Sequence, residues 1–186
     1  MPRLLTATLL ALVTASSFTA AAAAAQPLKA DLERSKISFV GGKPDGSTHD
    51  GGFKKFKIDA QADLEQPSNS SLRIEIQTAS LFADNPKLEG HLKNPDFFDV
   101  RKYPTAVFES TKIEAGEHEG TIVGKLKLLD KVEEITVPVK IEHSDEATKL
   151  TAKFKLDRAR WGMRYGLEGN KINREVEITA VLHFQH

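Results

Sequence analysis

Apolar and polar residues alternate one for one along most of the chain, and a period of two marks strands with one buried face. Phe56, Ile58, Ala60, Ala62 and Leu64 alternate with Lys57, Asp59, Gln61 and Asp63, and Leu72, Ile74 and Ile76 alternate with Arg73 and Glu75. A shorter strand over 37–40, with Phe39 in it, precedes these two. Five more are expected over 105–113, 122–129, 134–141, 149–156 and 175–184. In the sixth, Ile135, Val137, Val139 and Ile141 share a face; Pro138 falls opposite, at an edge or irregular position, because proline donates no ladder hydrogen bond. Between the first two strands, residues 41–46 and His49-Asp50-Gly51-Gly52 are rich in turn formers and read as a mobile loop.

The alternation breaks between 80 and 100. Asn85-Pro86 and Asn94-Pro95 each put a capping residue before a proline, the arrangement of a helix start, so two short helical turns are expected in tandem. Leu88 and Leu92, four apart, give the first an apolar side. Tyr103-Pro104 then forces extended backbone and launches the fourth strand. If the turn is helical, Phe97 and Phe98 point apart, so one is expected to pin the insertion while the other faces the interior. Phe108 is expected to point inward and Tyr103 outward.

Eight mostly hairpin-connected antiparallel strands with one apolar face, plus a short helical insertion after strand three, read as an all-β barrel, since closure removes exposed edges. A sandwich is the alternative, though one tryptophan and no cysteine leave out the immunoglobulin hallmarks. An eight-stranded barrel either fills itself with side chains or holds one small ligand. Ala60, Ala62, Gly124, Ala152 and Ala180 on the apolar face leave room, for which facing phenylalanines compete with a ligand. Alternation does not say which face points inward, so an outer-membrane barrel is a further alternative; one tryptophan and two tyrosines are few for its two aromatic girdles.

The chain has 186 residues, enough for one domain with a sizeable core. Residues 1–25 fall outside it: Arg3, an apolar run from Leu4 to Val13 and alanines over 20–25 form the three regions of a secretory signal peptide. The expected mature domain is 26–186, periplasmic or secreted. With no cysteine there is no disulfide, thiolate nucleophile or sulfur ligand. The chain carries 26 basic and 26 acidic residues, and removal of Arg3 leaves a net charge of −1, a balance that argues against nucleic acid as a partner. Transient membrane contact and a monomer or homodimer are compatible with it.

His91-Leu92, Asp96-Phe97-Phe98-Asp99-Val100, Tyr103-Pro104 and residues 108–112 resemble the signature of the YceI-like family of exported polyisoprenoid-binding proteins. The resemblance runs from Lys36 to Phe184 and takes in Asp157-Arg158 and Trp161-Gly162-Met163. It implies a lipocalin-like barrel whose apolar lumen takes a long isoprenoid chain, such as an isoprenoid quinone or polyprenyl lipid, with no cofactor. The chain departs from the family at Leu88-Glu89, where an arginine-aspartate pair is common. It departs also at Leu129-Asp130-Lys131, a turn without the common glycine, and at Asp157 and Trp161, which replace asparagine and phenylalanine.

Ligand contacts are expected from Phe39, Phe56, Ile58, Ala60, Ile74, Ile76, Phe97, Phe98, Phe108, Leu126, Phe154, Leu156, Arg158, Trp161, Ile178 and Ala180. Arg158, Arg160 and Arg164 around Trp161 and Tyr165 form a basic aromatic loop suited either to an anionic or quinone head group or to packing on the barrel end. No G-x-S-x-G elbow, phosphate loop or dinucleotide fingerprint is present, and the six histidines lack metal-ligand spacing. The one catalytic alternative is His91 as a base with Asp96 or Asp99. A non-catalytic lipid binder is the expected reading.

Overall fold

A computed structural model describes residues 25–63, 65–144 and 146–185. Residues 1–24 of the expected signal peptide and the strand position expected for Leu64 lie outside these. The strands are β1 (Gln26–Ala30), β2 (Lys36–Gly42), β3 (Thr48–Phe53), β4 (Phe56–Ala62), β5 (Ser71–Gln77), β6 (Leu81–Ala83), β7 (Thr105–Ala115), β8 (Glu119–Leu128), β9 (Lys131–His143), β10 (Ala147–Asp157) and β11 (Glu175–Gln185). One helix, α1 (Pro86–Leu92), lies between β6 and β7.

Hydrogen bonding closes a ring of eight antiparallel strands, β1-β4-β5-β7-β8-β9-β10-β11, in which β11 returns to β1 through Ala30 opposite Phe184. The other three strands are the upper halves of broken wall strands. β1 and β2 both lie along β11, β3 continues β4, and β6 continues β5. The breaks are side by side and each is bonded internally. Ser35 Oγ donates to Asp31 O at 2.6 Å and accepts from His183 N at 3.0 Å. Lys54 N reaches Ser80 O at 3.2 Å. Buried Thr78 donates its hydroxyl to Tyr103 O at 2.7 Å. These bonds pair backbone groups at the breaks where the wall bends.

The expected mobile loop over 41–52 is corrected by the structure. β2 extends through Gly42 and the segment Thr48–Phe53 is β3, so only residues 43–47 turn. The alternation rule counts side chains, and β3 has glycine at two successive positions, one on each face. The reason is close approach: a Cβ on Gly52 would sit 2.6 Å from Ile37 O. β1 was also absent from the pattern, because five residues with one proline carry too little periodicity. The second tandem helical turn is corrected as well: past α1, the Asn94 carbonyl accepts from Phe97 N and Asp99 N at 3.0 Å each, forming turns rather than helix. At the first, Asn85 caps as expected, its side chain accepting from Lys87 N at 2.9 Å.

Pro138 does mark an irregularity. β9 pairs with β8 from Lys131 to Lys140 but with β10 only from Val139 to His143, so β9 and β10 part at Pro138. The gap is filled by a 3₁₀ turn over Arg158–Trp161, which Gly162 ends at φ 91°. Leu129, in the β8–β9 turn that carries no glycine, adopts φ 56°.

The apolar face points inward and forms one core with Ile74, Ile135, Val137, Leu182 and Phe184 among its members. Exposed Lys125, Lys153 and Lys155 stand on the outer face, so the apolar band of an outer-membrane barrel is missing there. A second cluster of Leu81, Leu92 and Phe97 joins α1 to the upper half-strands. Residues 43–47, 84–104, 129–130 and 158–174 gather at that end, here termed the mouth; 63, 65–70, 116–118, 144 and 146 lie at the other.

Gly52→Ala should lower stability by about 1–3 kcal/mol through backbone overpacking, while Gly41→Ala, with nothing within 4 Å of its Cβ, should be near neutral. Urea unfolding of both variants checks this; equal effects would contradict the β2–β3 packing.

Candidate functional site: an apolar lumen under an aromatic cap

Inward-facing side chains of the ring enclose a cavity of about 150 Å³. Ser38 is the one polar residue on its lining, and its hydroxyl faces Thr179 O at 3.4 Å. No ionisable group reaches the cavity wall among the described residues. A carboxylate or phosphate would lose its hydration there without a partner, whereas a hydrocarbon loses only contact with water.

Of the residues expected to meet a ligand, Ile74, Ile76, Phe98, Phe108, Leu126, Phe154, Leu156, Ile178 and Ala180 lie on the lining. Phe56, Ile58 and Ala60 of β4 pack against the same core without reaching the cavity. Phe39 lies at the mouth, where the ring of Phe53 is 6.0 Å from its own and 5.6 Å from that of Phe98. These three rings cross the mouth in series. Phe97 and Phe98 part as the turn requires: Phe98 looks into the lumen, and Phe97 is buried on the other side against α1. Pattern reading missed Phe53 and Ser38, the first because it closes a strand of glycines. The expected contacts also left out other lining residues on the expected strands, Leu72, Leu128, Val137 and Leu150 among them, which sit in the inward phase.

Part of the room implied by small residues is occupied. The ring of Phe108 lies over Gly124, where a Cβ would come within 2.5 Å of it. A void and phenylalanines that fill part of the lumen are therefore both present.

Arg158 and Trp161 are buried outside the cavity lining. Trp161 is fully buried in the core, and its indole N–H donates to Leu126 O at 2.9 Å. Arg158 donates through Nε to Asn173 O at 3.0 Å, through one terminal nitrogen to Met163 O at 2.7 Å and through the other to Tyr165 O at 2.9 Å. The planar fork thus holds both limbs of the 158–174 segment together, and the charge stands 5.9 Å from the Phe97 ring. Burial pulls the guanidinium pKa below its ordinary value, and neighbouring Asp157 opposes that shift.

His91 sits on α1, its Nε2 2.9 Å from Asp96 Oδ2, with the rings of Phe97 and Tyr165 edge-on at 5.1 and 4.8 Å. Of the two carboxylates considered for it, Asp96 is the partner. The imidazole is absent from the cavity lining. Its contacts join the insertion to the 158–174 segment.

A closed eight-stranded barrel with a capped apolar lumen is of the lipocalin-like class. The chain belongs to the family defined by the YceI-like domain, whose model matches residues 28–184. Among curated relatives it is 37% identical over 79 residues to a UPF0312 protein of Pseudomonas savastanoi pv. phaseolicola, covering 42% of this chain and 41% of that one. A UPF0312 protein of Pseudomonas aeruginosa is 33% identical over 91 residues, covering 49% and 48%. The matched stretch thus spans less than half the length of these relatives. Among solved structures, Burkholderia cenocepacia BcnA superimposes with TM-score 0.77 at 27% identity, covering 83% of this chain and 99% of that one. A polyisoprenoid binding domain from Saccharophagus degradans gives TM-score 0.68 at 14% identity, covering 87% and 98%, and shares the fold.

Arg158→Lys keeps the charge but cannot reach three carbonyls in one plane, and should cost about 1–3 kcal/mol. Trypsin cleavage within 158–174 should rise with it; an unchanged cleavage rate would rule out the clamp. In the lumen, Phe154→Asp should destabilise the barrel severely through a buried unpaired charge. Lys153→Asp, on the outer face, replaces an exposed ion pair with Glu177 by a solvent-screened like-charge contact and should cost about 1 kcal/mol. Thermal melts compare the two.

Proposed function

We propose that the lumen holds the hydrocarbon chain of an isoprenoid lipid, an isoprenoid quinone or a polyprenyl lipid, and that the protein transports, stores or sequesters it in the periplasm without chemistry. The observation that carries this reading is the cavity wall, apolar but for Ser38 and enclosed by a hydrogen-bonded ring. Membership of the YceI-like family supports it, as does the fold shared with a domain that binds polyisoprenoids. The export expected from the leader accords with a periplasmic role.

Size sets a condition on the mode of binding. A dry engineered cavity of roughly 150 Å³ takes benzene, so a longer tail enters this lumen of about 150 Å³ only if lining rings turn aside. Phe98, Phe108 and Phe154 are the rings positioned to do so. A tail lodged past them leaves its head group at the mouth, where water and the polar loops are. His91, directed toward Asp96 and away from the lining, has no access to a substrate in the lumen, which favours binding over catalysis.

Organic-solvent extraction of the purified protein followed by mass spectrometry should find an isoprenoid lipid. No such lipid, together with no uptake of isoprenoid quinones, would overturn the reading. Phe108→Ala, which opens space over Gly124, should raise uptake of long-chain over short-chain quinones at a stability cost of about 3–5 kcal/mol. His91→Ala should leave lipid content unchanged; a turnover abolished by that variant would instead favour an enzyme.

A further inference from the structure

Charge is distributed unevenly between the two ends of the barrel. The 158–174 segment holds five basic residues and one acidic. The other mouth segments are close to neutral: 84–104 has four of each sign, 43–47 one of each, and 129–130 one acidic residue. At the far end, 63, 65–70, 116–118, 144 and 146 together hold four acidic residues and no lysine or arginine. A balanced total charge therefore conceals a molecule that is positive at the mouth and negative at the base.

The positive segment is also presented rigidly. Arg158 gathers it from beneath, Arg160 pairs with Glu133 at 2.8 Å, and Asn173 N bonds Gly42 O at 2.9 Å, so it spans the mouth from β9 to β2. Arg164 and Lys171 are exposed, and among the described residues neither makes an ion pair with a carboxylate. Between them Tyr165 is 47% exposed although His91 and Phe97 grip its ring, and on the adjacent β8–β9 hairpin Val132 is 54% exposed. An amphipathic ring held outward among unpaired cations is what a bilayer interface receives: the aromatic sits at head-group depth and the cations meet lipid phosphates.

We propose that the mouth, through the 158–174 segment, is a docking surface for an anionic lipid bilayer. Its role, which rests on the lipid-carrier reading above, is to bring the aromatic cap against the membrane from which the lumen is loaded or into which it empties. The acidic base makes the approach oriented, because a negative surface attracts the mouth and repels the opposite end. An acidic protein is the competing partner; exposed Tyr165 and Val132 beside the cations favour the bilayer.

The test is co-sedimentation with large vesicles of phosphatidylcholine alone and of phosphatidylcholine with phosphatidylglycerol, at low salt and at about 0.5 M salt, where the screening length falls to a few ångströms. All variants share one background. Binding is expected to anionic vesicles only and to disappear at high salt. Combined Arg164→Glu and Lys171→Glu should weaken it at least tenfold, at about fivefold per charge removed. Tyr165→Ser should weaken it severalfold with the salt dependence kept. Glu114→Lys with Glu117→Lys, at the base, should not weaken it, and unchanged melting profiles confirm that the surface variants are folded. The proposal is overturned by equal binding to neutral and anionic vesicles, by equal loss from mouth and base variants, or by retention on an acidic protein but not on vesicles. Solvent extraction of the same samples separates the two readings. A lipid-filled barrel that ignores vesicles sinks the docking surface alone, and an empty barrel that binds them sinks the carrier reading alone.

Discussion

Closure of the ring by β1 is the constraint on which the rest depends. This strand of five residues pairs with β4 on one edge and, through Lys29 and Ala30, with Gln185 and Phe184 of β11 on the other. Without it, the lower parts of β4 and β11 would be open edges, and the inward side chains would line a curled sheet instead of a lumen. The long strands β7 to β11 supply most of the wall, yet an enclosed apolar interior exists because a short segment joins the two ends of the sheet.

With the ring closed, the upper half-strands are free to depart from it. The aligned breaks at 31–35, 54–55 and 78–80 let β2, β3 and β6 bend toward the mouth, where Leu92 of α1 and Phe97 beyond it pack with Leu81 of β6. At the opposite wall β9 and β10 part at Pro138, and the Arg158–Trp161 turn fills the gap. Both features meet at Phe97, which touches His91 and Tyr165 and lies near the Arg158 charge. Residues that draw notice for their chemistry, His91 and Arg158, thus join the helical insertion to the 158–174 segment. Cap, clamp and plug form one assembly over the lumen, and a ligand entering at the mouth passes beside it.

The interior was legible to the extent that side chains, and not backbone, carry the signal. Ile74, Ile76, Phe108, Leu126, Phe154, Leu156, Ile178 and Ala180 stand on long strands whose alternation leaves only the choice of which face points inward. Phe53 could not be found this way, because β3 is built from residues selected for close backbone approach to β2 and β6. Phe56, Ile58 and Ala60 are in the correct phase, but the cavity does not extend along β4, and nothing in a strand's own pattern says where along a lumen the void lies. Arg158 shows the same limit for polar groups. A loop rich in arginine and aromatics suits a head group or a structural fork equally, and three carbonyls distant in sequence decide it for this residue.

The sequence by itself determined the strand class, the number of wall strands, the capped helix after Asn85 and the family, because period-two alternation, Asn-Pro capping and a compact signature are local properties. Tertiary structure alone decided which face is inside, that three wall strands are broken, that Phe97 anchors while Phe98 faces the lumen, and that positive and negative charge collect at opposite ends. Each of these depends on residues far apart in the chain meeting across the ring, and closure is a relation between its two ends that no local pattern contains.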